Sequence, residues 1–171
     1  EGAVRTKRIG YDVNSMMYPP VQQVAKIGEH AIGKYRSRPL FLCEYAHAMG
    51  VGAGDLEEYV RLFYAHDNLM GGCIWEFADH AVYHAEGEVK YTYGGDHGET
   101  KHDSNFCVDG LFAPDRTPHP GAWQMKNCYR PVRAKKESDG VYSFFNHHYF
   151  APVELTVAYT LLKDGVPAEN G

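Results

Sequence analysis

Chemistry in this chain is most concentrated in the string Leu42-Cys43-Glu44-Tyr45-Ala46-His47-Ala48-Met49-Gly50. A glutamate closes the short apolar run Pro39-Leu40-Phe41-Leu42-Cys43, just before a loop punctuated by Gly50, Gly52 and Gly54. A continuous apolar run of that length reads as a strand buried on both faces. A carboxylate at the carboxyl end of such a strand is held rigidly while its oxygens face a cleft, and α/β barrels carry their catalytic groups there. The same place also suits a carboxylate that only pairs with a neighbouring arginine. Position alone leaves both readings of Glu44 open.

The remaining reactive side chains are scattered. His80 and His84 stand four apart, with His97 and His102 nearby, but no H-E-x-x-H or C-x-x-C pattern joins them. A transition-metal centre is therefore not expected. His147-His148 reads as strand surface. Cys43, Cys73, Cys107 and Cys128 are widely and irregularly spaced, and two of them sit inside apolar runs where cysteine acts as a small hydrophobe. Four free thiols are expected, which leans towards a reducing compartment such as the cytoplasm.

The elements that must position Glu44 follow from periodicity. Residues 11–18 read as a short strand stopped by Pro19-Pro20. Residues 21–32 carry Val21, Val24, Ala25, Ile27 and Ala31 at helical spacing, with Gly33 as the stop. The strand holding Glu44 comes next. Asp55 is the expected N-cap of a helix over 56–66, with Glu58 completing a capping box. Leu56, Tyr59, Val60, Phe63 and Tyr64 form its apolar face. Residues 71–77 read as another buried strand. Strand, helix, strand, helix, strand implies parallel pairing with helical crossovers, in a barrel or an open sheet.

Residues 78–119 break this rhythm and read as a long functional or covering loop. A short helix is expected after Pro120. Beyond Pro131 the pattern turns antiparallel, with hairpin dipeptides at Asp139-Gly140 and Asp164-Gly165. Two domains are expected, 1–131 and 132–171, the second too short for a complete β-sandwich. The chain opens at Glu1-Gly2-Ala3 and closes at Asn170-Gly171, so a piece of a longer protein is expected.

Composition narrows the function classes. The chain has 171 residues, a net charge of −5 and no basic stripe, so nucleic acid is not an expected partner. No apolar run approaches the roughly 18 residues of a membrane span, so no membrane partner is expected either. Aromatic residues make up 13% of the chain, which suits sugar-binding clefts as well as ordinary cores.

The string CEYAHAMG resembles the nucleophile motif of family-2 glycoside hydrolases of the β-galactosidase type. Asp12 to Tyr18 resembles the preceding barrel strand of that family, and GGCIWEFADH resembles its last. YGGDHGE, NFCVDGL and DRTPHP follow in the family's order, so the likeness runs over roughly residues 10–135. Val51, after AMG, stands where the family often has asparagine, and Glu99 where aspartate is common.

The resemblance implies the C-terminal portion of a (β/α)8 TIM barrel followed by the first strands of an antiparallel β-sandwich. It implies a retaining mechanism with Glu44 as the nucleophile. Tyr18 matches a tyrosine that hydrogen-bonds the nucleophile, His47 a histidine that stabilises the sugar in the transition state, and Trp75 a wall of the galactose site. Phe106, through its carbonyl, and Asp109, which replaces an asparagine, match ligands of a monovalent cation, sodium or potassium. The family's magnesium ligands and its acid/base glutamate, part of an Asn-Glu pair, belong to sequence before residue 1.

The partners implied are β-galactoside sugars, the rest of the parent enzyme and further copies in a homo-oligomer. The isolated chain is expected to be inactive. The alternatives are a sibling β-glucuronidase or β-mannosidase, and a non-catalytic carbohydrate-binding or complementing module.

Overall fold

Three strands lie side by side in one parallel sheet, in the order β1 (Asn14–Met17), β2 (Leu40–Tyr45), β3 (Leu69–Ile74). The computed structural model describes residues 11–31 and 33–171. Helix α1 (Val21–His30) connects β1 to β2, and α2 (Leu56–Ala65) connects β2 to β3. Parallel neighbours need such crossovers, because a tight turn can only reverse the chain.

The helices cover one face of the sheet. Val24 and Ile27 of α1 and Leu56, Tyr59 and Val60 of α2 join Leu40, Leu42, Tyr45 and Leu69 in a single buried cluster. The spacing of these helix residues is the apolar stripe read from the sequence. Tyr45 and Tyr59 meet edge-to-face, with ring centroids 5.1 Å apart. The Tyr59 hydroxyl is satisfied inside the core by donating to the Pro19 carbonyl, at 2.7 Å. Asn14 is also buried, and its amide donates to the Arg38 carbonyl at 2.8 Å, tying the start of β1 to the entry of β2.

Several boundaries differ from the sequence expectation. Helix α1 stops at His30 because Ala31 turns left-handed, at φ 42°, and its N–H bonds to Ile27. The expected end at residue 32 falls on Ile32, outside the described residues. Asp55 occupies the N-cap position of α2 as expected, but its backbone is left-handed, at φ 58°, and its side chain makes no cap hydrogen bond. Strand β3 begins and ends earlier than 71–77, so Trp75, Glu76 and Phe77 follow the strand instead of lying in it. A two-residue hairpin, β4 (Val82–Tyr83) with β5 (Tyr91–Thr92), interrupts the long loop. Helix α3 (Pro120–Cys128) forms after Pro120, with proline in its first turn, where the missing N–H is no loss.

The chain divides into two compact units, 1–129 and 130–171. The second holds two hairpins, β6 (Val132–Ser138) with β7 (Val141–Asn146), and β8 (Thr160–Lys163) with β9 (Val166–Asn170). Each turns at the Asp-Gly pair marked in the sequence, and Gly140 and Gly165 take positive φ there. All four cysteines are free. Among the described residues, no helix is long and apolar enough to cross a membrane.

Leu42 is fully buried at the centre of the cluster. Leu42→Ala is expected to cost about 2–5 kcal/mol of unfolding free energy, read by urea denaturation, because the surrounding helices and sheet cannot fully close the void.

Candidate functional site

The pleat of β2 slips where chemistry is expected. Strict alternation would put Leu40, Leu42 and Glu44 on one face. Instead Leu40, Leu42 and Tyr45 are buried under the helices, and the pairing with β3 is irregular between Leu42 and Tyr45. The pairing with β1 also shifts at Met17, which stands opposite Glu44. Tyr45 takes the core position, and Glu44 is turned out of it.

The same register gathers three strand ends at one edge. Tyr18 directly follows β1, Glu44 is the penultimate residue of β2, and Trp75 directly follows β3. Backbone hydrogen bonds extend the ladder past the strands: Tyr18 N–H to Glu44 O at 2.9 Å, and Trp75 N–H to Tyr45 O at 3.1 Å. Tyr18 has a left-handed backbone, at φ 47°, where β1 turns into Pro19-Pro20. Its hydroxyl hydrogen-bonds the Glu44 carboxylate. Partial burial first, then that bond and the charges of Glu44 and Asp109, hold the phenol well above its ordinary pKa. Tyr18 therefore keeps its proton and stands as a neutral donor towards Glu44.

His47 sits on the loop after β2, anchored by the Ala48 N–H bond to the Trp75 carbonyl at 2.7 Å. Its Nδ1 accepts the Met49 N–H at 3.4 Å, which leaves the neutral ring's proton on Nε2. That nitrogen lies 3.8 Å from Asp109 Oδ2. The His47 ring also stands 5.7 Å, centroid to centroid, from both Tyr18 and Phe106.

Asp109 is the buried hub, only 2% exposed. Its Oδ2 accepts the Trp75 indole N–H at 3.0 Å. Its Oδ1 is buried with no hydrogen-bond donor, an acceptor that a hard cation could use. Glu76 also faces Asp109, and burial followed by that neighbouring carboxylate pushes the Glu76 carboxyl up to about 7, against the pull of His80. His80 Nε2 lies 3.1 Å from Glu76 Oε2. Among the described residues, no group of three or more histidines, cysteines or carboxylates could hold a metal ion.

Backbone pairing brings Asp109 to this place. Glu76 N–H bonds to Asp109 O at 2.9 Å, Leu111 N–H to Glu76 O at 2.9 Å, and Phe112 N–H to Phe77 O at 3.0 Å. Gly110 lies so close to residues 78 and 79 that a Cβ there would sit 2.2 Å from the Asp79 nitrogen. Asp79 Oδ1 accepts the Gly110 N–H at 2.8 Å, while Oδ2 meets His119 Nε2 at 2.9 Å. A cavity of about 380 Å³ lies beside this junction, lined by Ala48, Asp79, Gly110 and His119 among others; Glu44 does not line it.

Comparison with known proteins decides the family. Residues 2–134 match the family model described as glycosyl hydrolases family 2, TIM barrel domain. The chain belongs to that family. It is 40% identical over 162 residues to a β-galactosidase of Actinobacillus pleuropneumoniae, covering 94% of this chain and 15% of that protein. It is 38% identical over 174 residues to one of Staphylococcus xylosus, covering 98% of this chain and 17% of that protein. A third, from Photobacterium profundum, is 45% identical over 141 residues, covering 78% of this chain and 14% of the relative. The chain thus spans about a sixth of the length of the curated relatives it matches.

Within this family-2 domain, the candidates named from the sequence fall together: Tyr18, Glu44, His47, Trp75, Phe106 and Asp109 all take part in the cluster just described. Sequence reasoning missed Glu76, Asp79 and His119. The string Trp75-Glu76-Phe77-Ala78-Asp79 carries a signal in hindsight, since two acids flank an apolar pair just past a strand end. His119 gave no signal beyond its place in the DRTPHP string.

Two outcomes follow from the hub. In a Trp123→Phe background, Asp109→Ala is expected to shift and broaden the Trp75 indole N–H resonance and to cost about 1–3 kcal/mol, while Asp109→Asn, which keeps an acceptor oxygen, loses less. Gly110→Ala is expected to cost about 2 kcal/mol or more in urea unfolding, since the new methyl would strike backbone that cannot yield.

Proposed function

We propose that this chain is the C-terminal portion of a (β/α)8 catalytic barrel, with 132–171 opening a following β-sandwich domain, and that the protein carrying it is a retaining β-galactosidase. One observation supports this above the others. Glu44 stands at the carboxyl edge of a parallel sheet, turned out of the core and hydrogen-bonded by a tyrosine that keeps its proton. The name shared by the relatives supports the choice of galactose.

In this reading Glu44 attacks the anomeric carbon of a terminal β-linked galactose as the glycosidic C–O bond breaks, the departing oxygen taking a proton from the general acid outside this chain; water then displaces Glu44 from the covalent glycosyl-enzyme and releases galactose. The Tyr18 hydroxyl steadies the charged carboxylate before attack and the departing carboxylate afterwards. His47, whose Nε2 lies 3.8 Å from Asp109 Oδ2, helps stabilise the sugar in the transition state. The Trp75 indole, pinned by Asp109, forms part of the galactose wall.

Retaining hydrolysis needs a second carboxyl group about 5–5.5 Å from the nucleophile. That acid/base group is assigned to the part of the protein outside this chain. So are the remaining walls of the sugar pocket and any magnesium ligands. A sodium or potassium ion would be held by Asp109, whose Oδ1 is buried without a hydrogen-bond partner, and by the Phe106 carbonyl. Such an ion would supply a fixed positive charge for a sugar hydroxyl. The protein is read as a homo-oligomer, and its site is completed by the rest of the barrel.

The chain by itself is then expected to show no measurable turnover of an aryl β-galactoside, since it lacks the general acid. In the protein that carries it, Glu44→Gln is expected to cut turnover on the order of 1,000-fold or more. A 2-deoxy-2-fluoro-galactoside with a good leaving group should label that protein covalently, and peptide mass spectrometry should place the sugar on Glu44. Label on any other residue, or undiminished turnover by the Gln variant, contradicts the assignment.

A further inference from the structure

A second cleft in the first unit takes no part in the reaction proposed above. Tyr83 and Tyr91 are direct cross-strand partners in the β4–β5 hairpin, which places both rings on one side of it. The centroids are 5.6 Å apart and the planes are inclined by 51°, so the two rings form a concave apolar wall. Tyr83 is 62% exposed, so this wall is not core. The rings line a cleft of about 770 Å³ together with Asp79, His80 and the turn Pro114-Asp115-Arg116. That volume lies within the range of small-molecule sites.

The polar lining is held in place. Asp115 Oδ1 accepts the Thr117 N–H at 2.8 Å, and Arg116 Nη1 donates to the Pro114 carbonyl at 3.0 Å. Arg116 adopts φ 73°, a left-handed backbone that L side chains rarely take. The cleft combines an aromatic wall with one guanidinium and two carboxylates, Asp79 and Asp115. Asp79 is already engaged by Gly110 and His119, so an anion would meet the Asp115 carboxylate and a purely apolar ligand would strand Asp115 and Arg116. A neutral polyol with one apolar face satisfies both walls, which is the surface of a pyranose ring. His80 links this cleft to the candidate site through its contact with Glu76, which faces Asp109.

We propose that this cleft is a second saccharide subsite, in which a sugar ring stacks on Tyr83 and Tyr91 and gives its hydroxyls to Asp115 and Arg116. The choice of a sugar as ligand rests on the glycosidase reading.

The test is an NMR titration of the isotopically labelled 171-residue chain with lactose, a galactose–glucose disaccharide. Saturable shifts should concentrate at Tyr83, Tyr91 and Arg116. Tyr83→Ala should weaken binding about tenfold, while Tyr83→Phe, which keeps the stacking face, should stay within about twofold. Arg116→Ala, on a different segment, should weaken binding by a similar factor and decides the matter if Tyr83→Ala disturbs the rest of the spectrum. Glu44→Gln should leave this binding unchanged. Absence of saturable shifts at these residues, or wild-type affinity in both alanine variants, overturns the subsite. If Glu44-dependent turnover persists in the whole protein while the alanine variants bind normally, the subsite falls and the glycosidase reading stands. If Tyr83-dependent binding is found but turnover does not depend on Glu44, the glycosidase reading falls and the saccharide cleft stands.

Discussion

The arrangement of the first unit depends on one slip in the pleat of its middle strand. Between Leu42 and Tyr45 the alternation of β2 changes phase, so the core under α1 and α2 receives a tyrosine where regular geometry would have sent a glutamate. Burying a carboxylate among Val24, Leu56 and Tyr59 would cost several kcal/mol without a partner. The slip avoids that cost and delivers Glu44 to the edge where β1 and β3 also end. A shift by one residue reverses every later side chain of a strand, so a local irregularity is enough to exchange a core position for a candidate catalytic one.

Around that edge, neighbouring segments are tied by backbone pairing before side chains contribute. The loop after β2 is held to Trp75, and residues 109–112 are laid along 76–79. Gly110 permits this approach because it has no Cβ to strike the opposing backbone. Asp109 is thereby forced into a buried position from which it reaches the indole of Trp75 and the imidazole of His47. A half-satisfied buried carboxylate is an unstable thing to keep unless something uses its free oxygen. The proposed cation is one such use, and the neighbouring Glu76 carboxyl, pushed up to about 7 by burial and by Asp109, is another.

The two units contrast in how they are held. The first buries a continuous cluster drawn from β2, β3 and three helices, with Met16 of β1 packed against it, whereas the second consists of two hairpins whose strands are largely exposed. Exposed apolar residues on those strands, such as Phe145, Leu161 and Val166, are what a sheet shows when one face lacks a covering layer. With the chain covering about a sixth of its relatives' length, the proposed reading assigns that layer to the remainder of the protein.

Element types and order were legible in the sequence, because helical stripes and short apolar runs report burial directly. The Asp-Gly turns of the second unit were equally plain, since few residues tolerate positive φ. The string around Glu44 pointed to the candidate site through its resemblance to the family-2 nucleophile motif, where residue type and position alone left the role of Glu44 open. Asp55 marked the start of α2 correctly, but residue type could not show that its backbone arrives left-handed and leaves its side chain without a capping bond. The sequence could not place Trp75 beyond the end of β3, reveal the phase change in β2, or show Asp109 joined to Trp75 across 34 residues. Those facts depend on register and on contacts between distant segments. Local pattern determines which residues prefer burial or extension; only the packed chain decides which strand slips, which carboxylate oxygen is left without a donor, and which side chains share an edge.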